Sequence, residues 1–339
     1  MKTDDLLCRI FEIKTEAEFT AVALEVFRFQ YEHTPVYRSF VDLMKVNVDE
    51  VNTLEKIPFL PIEFFKSHEI FYKLQTTNHK LFTSSGTTGE QASKHYVTDI
   101  SVYEKSFRKG FDYFYGNIEE YCILALLPSY LERENSSLIY MVDDLIKRTK
   151  NADSGFYLHN TAELIQKLNI LEKKNQKTIL LGVTYALLDL ISTNYKPQTT
   201  NHKLTIMETG GMKGKRKEMV REELHKILCD GFGVHQNLPA GRQVHSEYGM
   251  TELLSQAYSK GDGIFNCPPW MKILIRDVND VKNFLPVTKT GGINAIDLAN
   301  IYSCSFIATQ DLGKIYSNNS FEVLGRFDNS DLRGCNLLV

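Results

Sequence analysis

No apolar run in this 339-residue sequence approaches the length of a membrane span. The best candidate, residues 178–191, is broken by Thr184 and Asp189 and is too short. The opening MKTDDLLCRIF lacks the basic start and long apolar stretch of a secretion signal, so a cytoplasmic protein is expected. Cysteines number only six and show no CxxC pair, which points to reduced thiols instead of a disulfide framework. HExxH is absent and the nine histidines show no ligand spacing, which argues against a zinc site. Neither charge sign is in excess. The 39 basic and 42 acidic residues give a net charge of −3, with no electrostatic footprint for nucleic acid or an anionic membrane. Nine Pro and 20 Gly are too few for collagen or extended disorder, and 43% hydrophobic with 24% charged is ordinary globular composition. At about 150 residues per domain, the length suits two domains or one large one.

What is present is an alternation of short apolar runs with helical periods. Asp99-Ile-Ser101 opens a helix, with Ser101 and Glu104 as a capping box and Phe107, Phe111 and Phe114 on one face. Residues 122–127 (CILALL), 179–183 and 204–207 read as buried strands. Ser136 starts a second helix carrying Leu138, Met141, Val142, Leu145 and Ile146. Residues 215–229 read as a helix with Met219, Val220, Leu224, Ile227 and Leu228 inward, ended by Gly231. Strands separated by helices predict a largely parallel α/β sheet. After about Pro269, residues 271–276, 292–297, 305–309 and 321–325 are short strand-like runs without a good helix among them. The expected organisation is therefore an α/β body over 1–269, a small β-rich subdomain over 270–326 and a tail over 327–339. The heptapeptide QTTNHKL occurs at 75–81 and again at 198–204, and NLPAGRQ (237–243) reads as a polar insertion; both fit surface loops.

Three motifs carry candidate chemistry. The first is FTSSGTTG, residues 82–89. Backbone N–H groups of such a turn converge on an anion, and its hydroxyls add donors without bulk. It follows a short strand and is expected to precede a helix. It is not a Walker A loop, because GxxxxGK[ST] is absent. The alternative is a solvated Ser/Thr/Gly loop. The second is HSEYGMTE, residues 245–252: Tyr248 can stack a purine, Gly249 permits close approach, Thr251 can donate to a phosphate and Glu252 can hold Mg²⁺. The alternative is a helix start capped by Thr251 with Tyr248 in the core. The third is TQDLG, residues 309–313, followed by GRFD, residues 325–328. Asp311 at a strand end can accept from two ribose hydroxyls, and Arg326 can reach the sugar or a phosphate; either pair alone is more often a turn and a surface ion pair.

In this order, SSGTTG, YGMTE, TxDLG and GRxD form the succession of adenylate-forming enzymes. Within that superfamily the chain resembles the LuxE-type acyl-protein synthetases. The closer resemblance lies in IPFLPIEFFKSHEI (57–70), SSGTTGEQASKH (84–95), LPSYLERENSSLIYMV (127–142), ETGGMKG (208–214), HSEYGMTELLSQAY (245–258) and GRFDNSDLRGCNL (325–337). The resemblance implies an α/β fold: the N-terminal region of an adenylate-forming enzyme, in stacked α/β subdomains with a small β-rich subdomain, lacking the C-terminal lid domain.

The resemblance also implies ATP and Mg²⁺, a fatty or other carboxylic acid activated to an acyl-adenylate, and transfer to a cysteine thiol. The acyl group would pass to a protein such as a reductase or a carrier protein. Carried over by motif, Ser84, Ser85, Gly86, Thr87, Thr88 and Gly89 would hold the phosphates. Gly210 and Gly211 would border adenine and the acyl site. Tyr248 and Gly249 would face adenine, Thr251 the α-phosphate, and Glu252 the Mg²⁺. Asp311 would take the ribose hydroxyls with help from Arg326. The sequence stops thirteen residues after Arg326, with no Lys among them, so a lid lysine in cis is not expected. Lys94 lies farther from Gly89 than in the usual SGTTGxPK pattern. Cys335 aligns with the family's acyl-accepting cysteine, and an extended tail from Arg326 spans at most about 30 Å, ample for its return to an acyl-phosphate. Adjacent Arg333 favours the thiolate. Cys122 and Cys229 read as core residues, and His95 and His245 as residues that orient loops. Two rivals remain: a coenzyme A or carrier-protein ligase with Cys335 idle, and a non-catalytic nucleotide- or acyl-binding protein.

Overall fold

The computed structural model describes residues 3–72, 78–84, 91–127, 135–157, 160–193, 203–210, 219–233 and 244–327. The inferred roles of Ser85–Gly89, Gly211 and Cys335, the NLPAGRQ segment, and residues 75–77 and 198–202 of the two QTTNHKL copies lie outside these residues. The chain divides into two compact units, one of residues 1–79, 95–99 and 269–339, the other of 80–94 and 100–268. The break near 269 coincides with the change of texture in the sequence, but residues 1–79 fall in the unit with the strands that follow it.

In the second unit, Tyr121–Leu126, Lys177–Val183, Leu204–Thr209 and Val244–Tyr248 lie side by side as parallel strands, with Gly155–Phe156 parallel on the outer edge. Ala257–Ser259 and Ile264–Asn266 continue the sheet antiparallel. The first three parallel strands are largely buried along their length, as expected of a parallel sheet covered on both faces. Ser136 caps helix Ser137–Thr149 by accepting from the Ile139 N–H at 3.3 Å, and Met141, Val142 and Leu145 are buried, as the sequence predicts. Helix Ile100–Tyr115 buries Phe107, Phe111 and Phe114, also as predicted. It begins two residues early for the proposed capping box: Ser101 lies in its first turn, and the Glu104 carboxylate accepts from the Tyr140 hydroxyl at 2.6 Å.

The last helix of this unit corrects the sequence reading. It runs Arg221–Phe232 and ends at Gly233 in the left-handed region (φ 63°), so Gly231 lies inside it. Val220 precedes it and is exposed, and Ile227 also faces outward. Gly231 is there for packing: a Cβ would meet Ile191 Cγ2 at 2.4 Å on the neighbouring helix Thr184–Ser192. Helix propensity favours alanine by about 1 kcal/mol. Overpacking costs about 1–3 kcal/mol. Gly231→Ala is therefore expected to lower the melting temperature, and a rise in Tm would show that Ile191 gives way freely.

In the first unit, Met271–Arg276, Gly291–Asp297, Phe306–Ile315 and Phe321–Arg326 form an antiparallel meander, and Leu60–Pro61 pairs parallel with Ile307–Ala308. Among the described residues, only the short 3₁₀ turn Leu298–Asn300 is helical in this stretch, as expected. Helix Glu16–His33 opens on a capping box in which Thr15 and Glu18 bond reciprocally, and Pro35 starts helix Pro35–Leu43. Phe27, Tyr37, Phe59 and Phe306 interlock as an aromatic core, with ring centroids 6.1–6.3 Å apart.

Candidate active site

Ligands of open parallel sheets bind beyond the carboxyl ends of the strands. In the second unit that edge carries Thr184, Gly210 and the turn after Tyr248. Gly210 follows Thr209 with φ +62°, a conformation that favours glycine. Thr184, the first residue of its helix, donates from Oγ1 to the Gly210 carbonyl at 2.7 Å. The turn that the sequence assigns to adenine is thus held from the neighbouring strand.

Two carboxylates sit beneath this edge, on paired strands. Glu208 lies opposite Ser246 and Thr209 opposite Glu247. Burial pushes the Glu208 carboxyl up, but His225, Arg221 and Ser246 outweigh it and hold the group below its ordinary value. Arg221 Nε and His225 Nε2 lie 3.4 and 3.6 Å from Glu208 Oε1. Among the described residues, no cation pairs with Glu247. It keeps some accessible surface, yet burial of its carboxyl, opposed by the Thr209 hydroxyl and reinforced by the Glu208 charge, pushes it up to about 7. The folded protein then holds a proton that the unfolded chain releases near pH 4.5. This contribution is full below that value and is lost as pH rises to about 7. Glu247→Gln is expected to flatten the fall in stability across this window. At pH 8 it should raise stability by about 2–3 kcal/mol. Thermal melts at pH 5 and pH 8 test this, and an unchanged slope refutes it.

The turn Tyr248–Glu252 is not a helix start, so Thr251 caps none; the chain leaves strand Val244–Tyr248 through a turn closed by Leu253 N–H to Met250 O at 3.1 Å. Tyr248 is buried, with its ring edge-on to Phe265 at 6.0 Å. A Cβ on Gly249 would meet Glu247 Oε1 at 2.2 Å, so any other residue here would have to displace the end of the Glu247 side chain. Thr251 is partly exposed and Glu252 buried. His245 Nδ1 lies 3.1 Å from the Tyr115 hydroxyl.

Of the SSGTTG segment, Ser84 is described. Its N–H donates to Ser93 O at 3.0 Å, and its Oγ accepts from the Ser93 N–H at 2.8 Å, so the two ends of the segment are tied together. The hydroxyl proton of Ser84 is left for another acceptor. Thr83 N–H bonds Asn135 O at 2.9 Å, just ahead of the helix that follows strand Tyr121–Leu126. The sequence reading expects a helix after the segment, whereas strand Lys94–Val97 follows it. Lys94 is exposed at the start of that strand.

In the first unit, Asp311 and Arg326 occupy paired positions, and Arg326 Nε donates to Asp311 Oδ1 at 3.2 Å. Asp311 is not at a strand end, as its motif suggests. Strand Phe306–Ile315 runs on past it, with an irregularity between Leu312 and Gly313.

The sequence matches the family described as "Acyl-protein synthetase, LuxE" over residues 8–339. The chain belongs to the LuxE acyl-protein synthetase family. No curated protein sequence matches it. Its fold is that of the N-terminal region of adenylate-forming ligases. One similar structure is a 2-hydroxyisobutyryl-CoA ligase in complex with 2-HIB-AMP and CoA, at TM-score 0.67 and 12% identity, over 94% of this chain and 72% of that one. Another is ATP-bound MatB from Rhodopseudomonas palustris, at TM-score 0.53 and 17% identity, over 76% of this chain and 50% of that one. The LuxE chain thus spans about half of MatB. Family membership supports a ligase that uses ATP to activate an acid by adenylation.

Among the described residues of this LuxE chain, no group of three or more His, Cys, Asp or Glu side chains is placed to hold a metal ion. Single Glu252 fits Mg²⁺ that arrives on nucleotide phosphates, since Mg²⁺ is commonly held by one or two carboxylates plus phosphates. No described helix is long and apolar enough to cross a membrane. The roles read from the motifs leave out Thr184, Glu247 and Arg276. A charged residue at the end of a largely apolar strand, as in MKILIR, is the signal that finds Arg276.

Proposed function

We propose that this cytoplasmic LuxE-family protein activates a fatty acid with ATP and transfers the acyl group to its own Cys335, for delivery to an acceptor protein such as a reductase or a carrier protein. The observation that carries the reading is the family match from residue 8 to 339, which takes in every motif from Ser84 to Cys335. In the first step a carboxylate oxygen of the acid attacks the α-phosphorus, and the bond to the β-phosphate breaks with its electron pair leaving on pyrophosphate. Ser84 to Gly89 bind the departing phosphates, Thr251 donates to an α-phosphate oxygen, and Gly210 and Gly211 border adenine and the acyl site. Tyr248 and Gly249 face the base, and Asp311 accepts from the ribose hydroxyls with Arg326 beside it. Fixed donors of this kind act where charge accumulates in the transition state. Glu252 would hold Mg²⁺ arriving with the nucleotide, and the ion would supply Lewis-acid stabilisation of that charge. In the second step the Cys335 thiolate, its proton released to solvent, attacks the acyl carbonyl and AMP leaves with the electron pair of the broken C–O bond.

The test is intact-mass spectrometry after incubation with ATP, Mg²⁺ and a mixture of fatty acids. The expected result is an added acyl mass that hydroxylamine removes. Pyrophosphate release without any added mass would remove the cysteine step, and nucleotide binding without release would make this a binding protein.

A further inference from the structure

Arg276 ends strand Met271–Arg276 and is nine-tenths buried. Its Nη1 donates to Ile293 O and Asn294 Oδ1, both at 2.8 Å, and its Nη2 to Thr309 O at 2.6 Å. The guanidinium carbon lies 5.5 Å from the centre of the Phe327 ring. These acceptors are neutral oxygens, which makes Arg276 unusual, because buried charges are generally paired. The charges that act on it from further off are Glu63 and Asp311.

The backbone is shaped around this side chain. A Cβ on Gly292 would meet Arg276 Cζ at 2.5 Å, and the register of Gly291–Asp297 on Phe306–Ile315 shifts between Gly292 and Asn294. The fork therefore ties together strands at the point where their ladder is irregular. The next bonds lead to Asp311: Thr309 Oγ1 donates to Ile293 O at 2.9 Å and accepts from the Asp311 N–H at 3.1 Å. Beyond Asp311, Phe327 N–H donates to Gln310 O at 2.8 Å.

We infer that Arg276 is a positioning residue that, through Thr309, fixes the backbone of Asp311 and so sets where that carboxylate meets the two ribose hydroxyls of the nucleotide. This rests on the ribose role proposed above for Asp311. A fixed, permanently charged fork suits the task, because a lysine in its place offers one point charge and no planar pair of nitrogens.

Isothermal titration of the full chain with ATP and with 2′,3′-dideoxy-ATP, both with Mg²⁺, isolates the ribose contact. Wild type is expected to bind ATP about tenfold more tightly than the dideoxy nucleotide, the size of a hydrogen bond to a charged acceptor. Arg276→Met and Thr309→Val are each expected to shrink that preference to about twofold or less, with Arg276→Lys in between. If both variants bind the two nucleotides more weakly by the same factor and keep the wild-type preference, the role is merely structural and the inference is overturned. Should Arg276→Met fail to fold, Thr309→Val reads the same ratio. Asp311→Ala separates the two layers. If it keeps the wild-type preference, the ribose role itself falls. If it loses the preference while the Arg276 and Thr309 variants retain it, only the positioning role falls.

Discussion

Replacing Cys335 with alanine is expected to abolish the hydroxylamine-sensitive acyl-enzyme while ATP–pyrophosphate exchange continues at the wild-type rate. The two half-reactions use different atoms. Adenylation needs the acid, the nucleotide and the donors around the α-phosphate, and no sulfur takes part in it. Thioester formation has no nucleophile once the thiol is gone, so the loss is total. Two of the other thiols are poor substitutes: burial pushes Cys122 up to about 11 and Cys304 up to about 12, far from a thiolate at neutral pH. An acyl-enzyme that survives in the variant would place the acceptor on another side chain. Unchanged transfer to coenzyme A or a carrier protein would favour the rival in which Cys335 is idle.

Glu252→Gln is expected to act on the other half-reaction, lowering pyrophosphate exchange by about 10²–10³-fold. Glutamine keeps the volume of the buried side chain and removes its negative charge, so the fold is retained while the affinity for Mg²⁺–nucleotide falls. Exchange measured across a Mg²⁺ titration, with circular dichroism as the control, distinguishes a lost metal ligand from a damaged core. An unchanged Mg²⁺ dependence would remove Glu252 from the metal site. Thr251, one residue earlier and more exposed, would then be the residue of that turn left to contact phosphate.

The sequence conveys the sheet well because a strand buried on both faces is written as a continuous apolar run, as in CILAL and LTIM. It conveys less where one residue type answers two needs. Gly231 reads as a helix terminator, yet it is a close-packing glycine against Ile191, and Gly233 two residues later ends the helix. The strand around Asp311 is longer than its apolar run suggests because its second half alternates buried and half-buried positions, with Gln310 and Lys314 on the more open side. Motif order conveys the family, whereas the supports of the site leave no motif. Thr184 under Gly210 and Arg276 beside Thr309 meet their partners across strands, 26 and 33 residues away in sequence.

Gln30 sets the order in which a newly made chain can finish folding. Its amide nitrogen donates to the Asn300 and Ile301 carbonyls, both at 2.9 Å, and its carbonyl oxygen accepts from the Ser305 N–H at 3.0 Å. Those partners emerge from the ribosome 270–275 residues later, a delay of roughly 15–50 s at ordinary elongation rates. The first unit therefore waits with Phe27 and Tyr37 uncovered while the second, complete by residue 268, closes ahead of it. A nascent chain halted between these points exposes an aromatic cluster, and that interval is when a chaperone has something to hold.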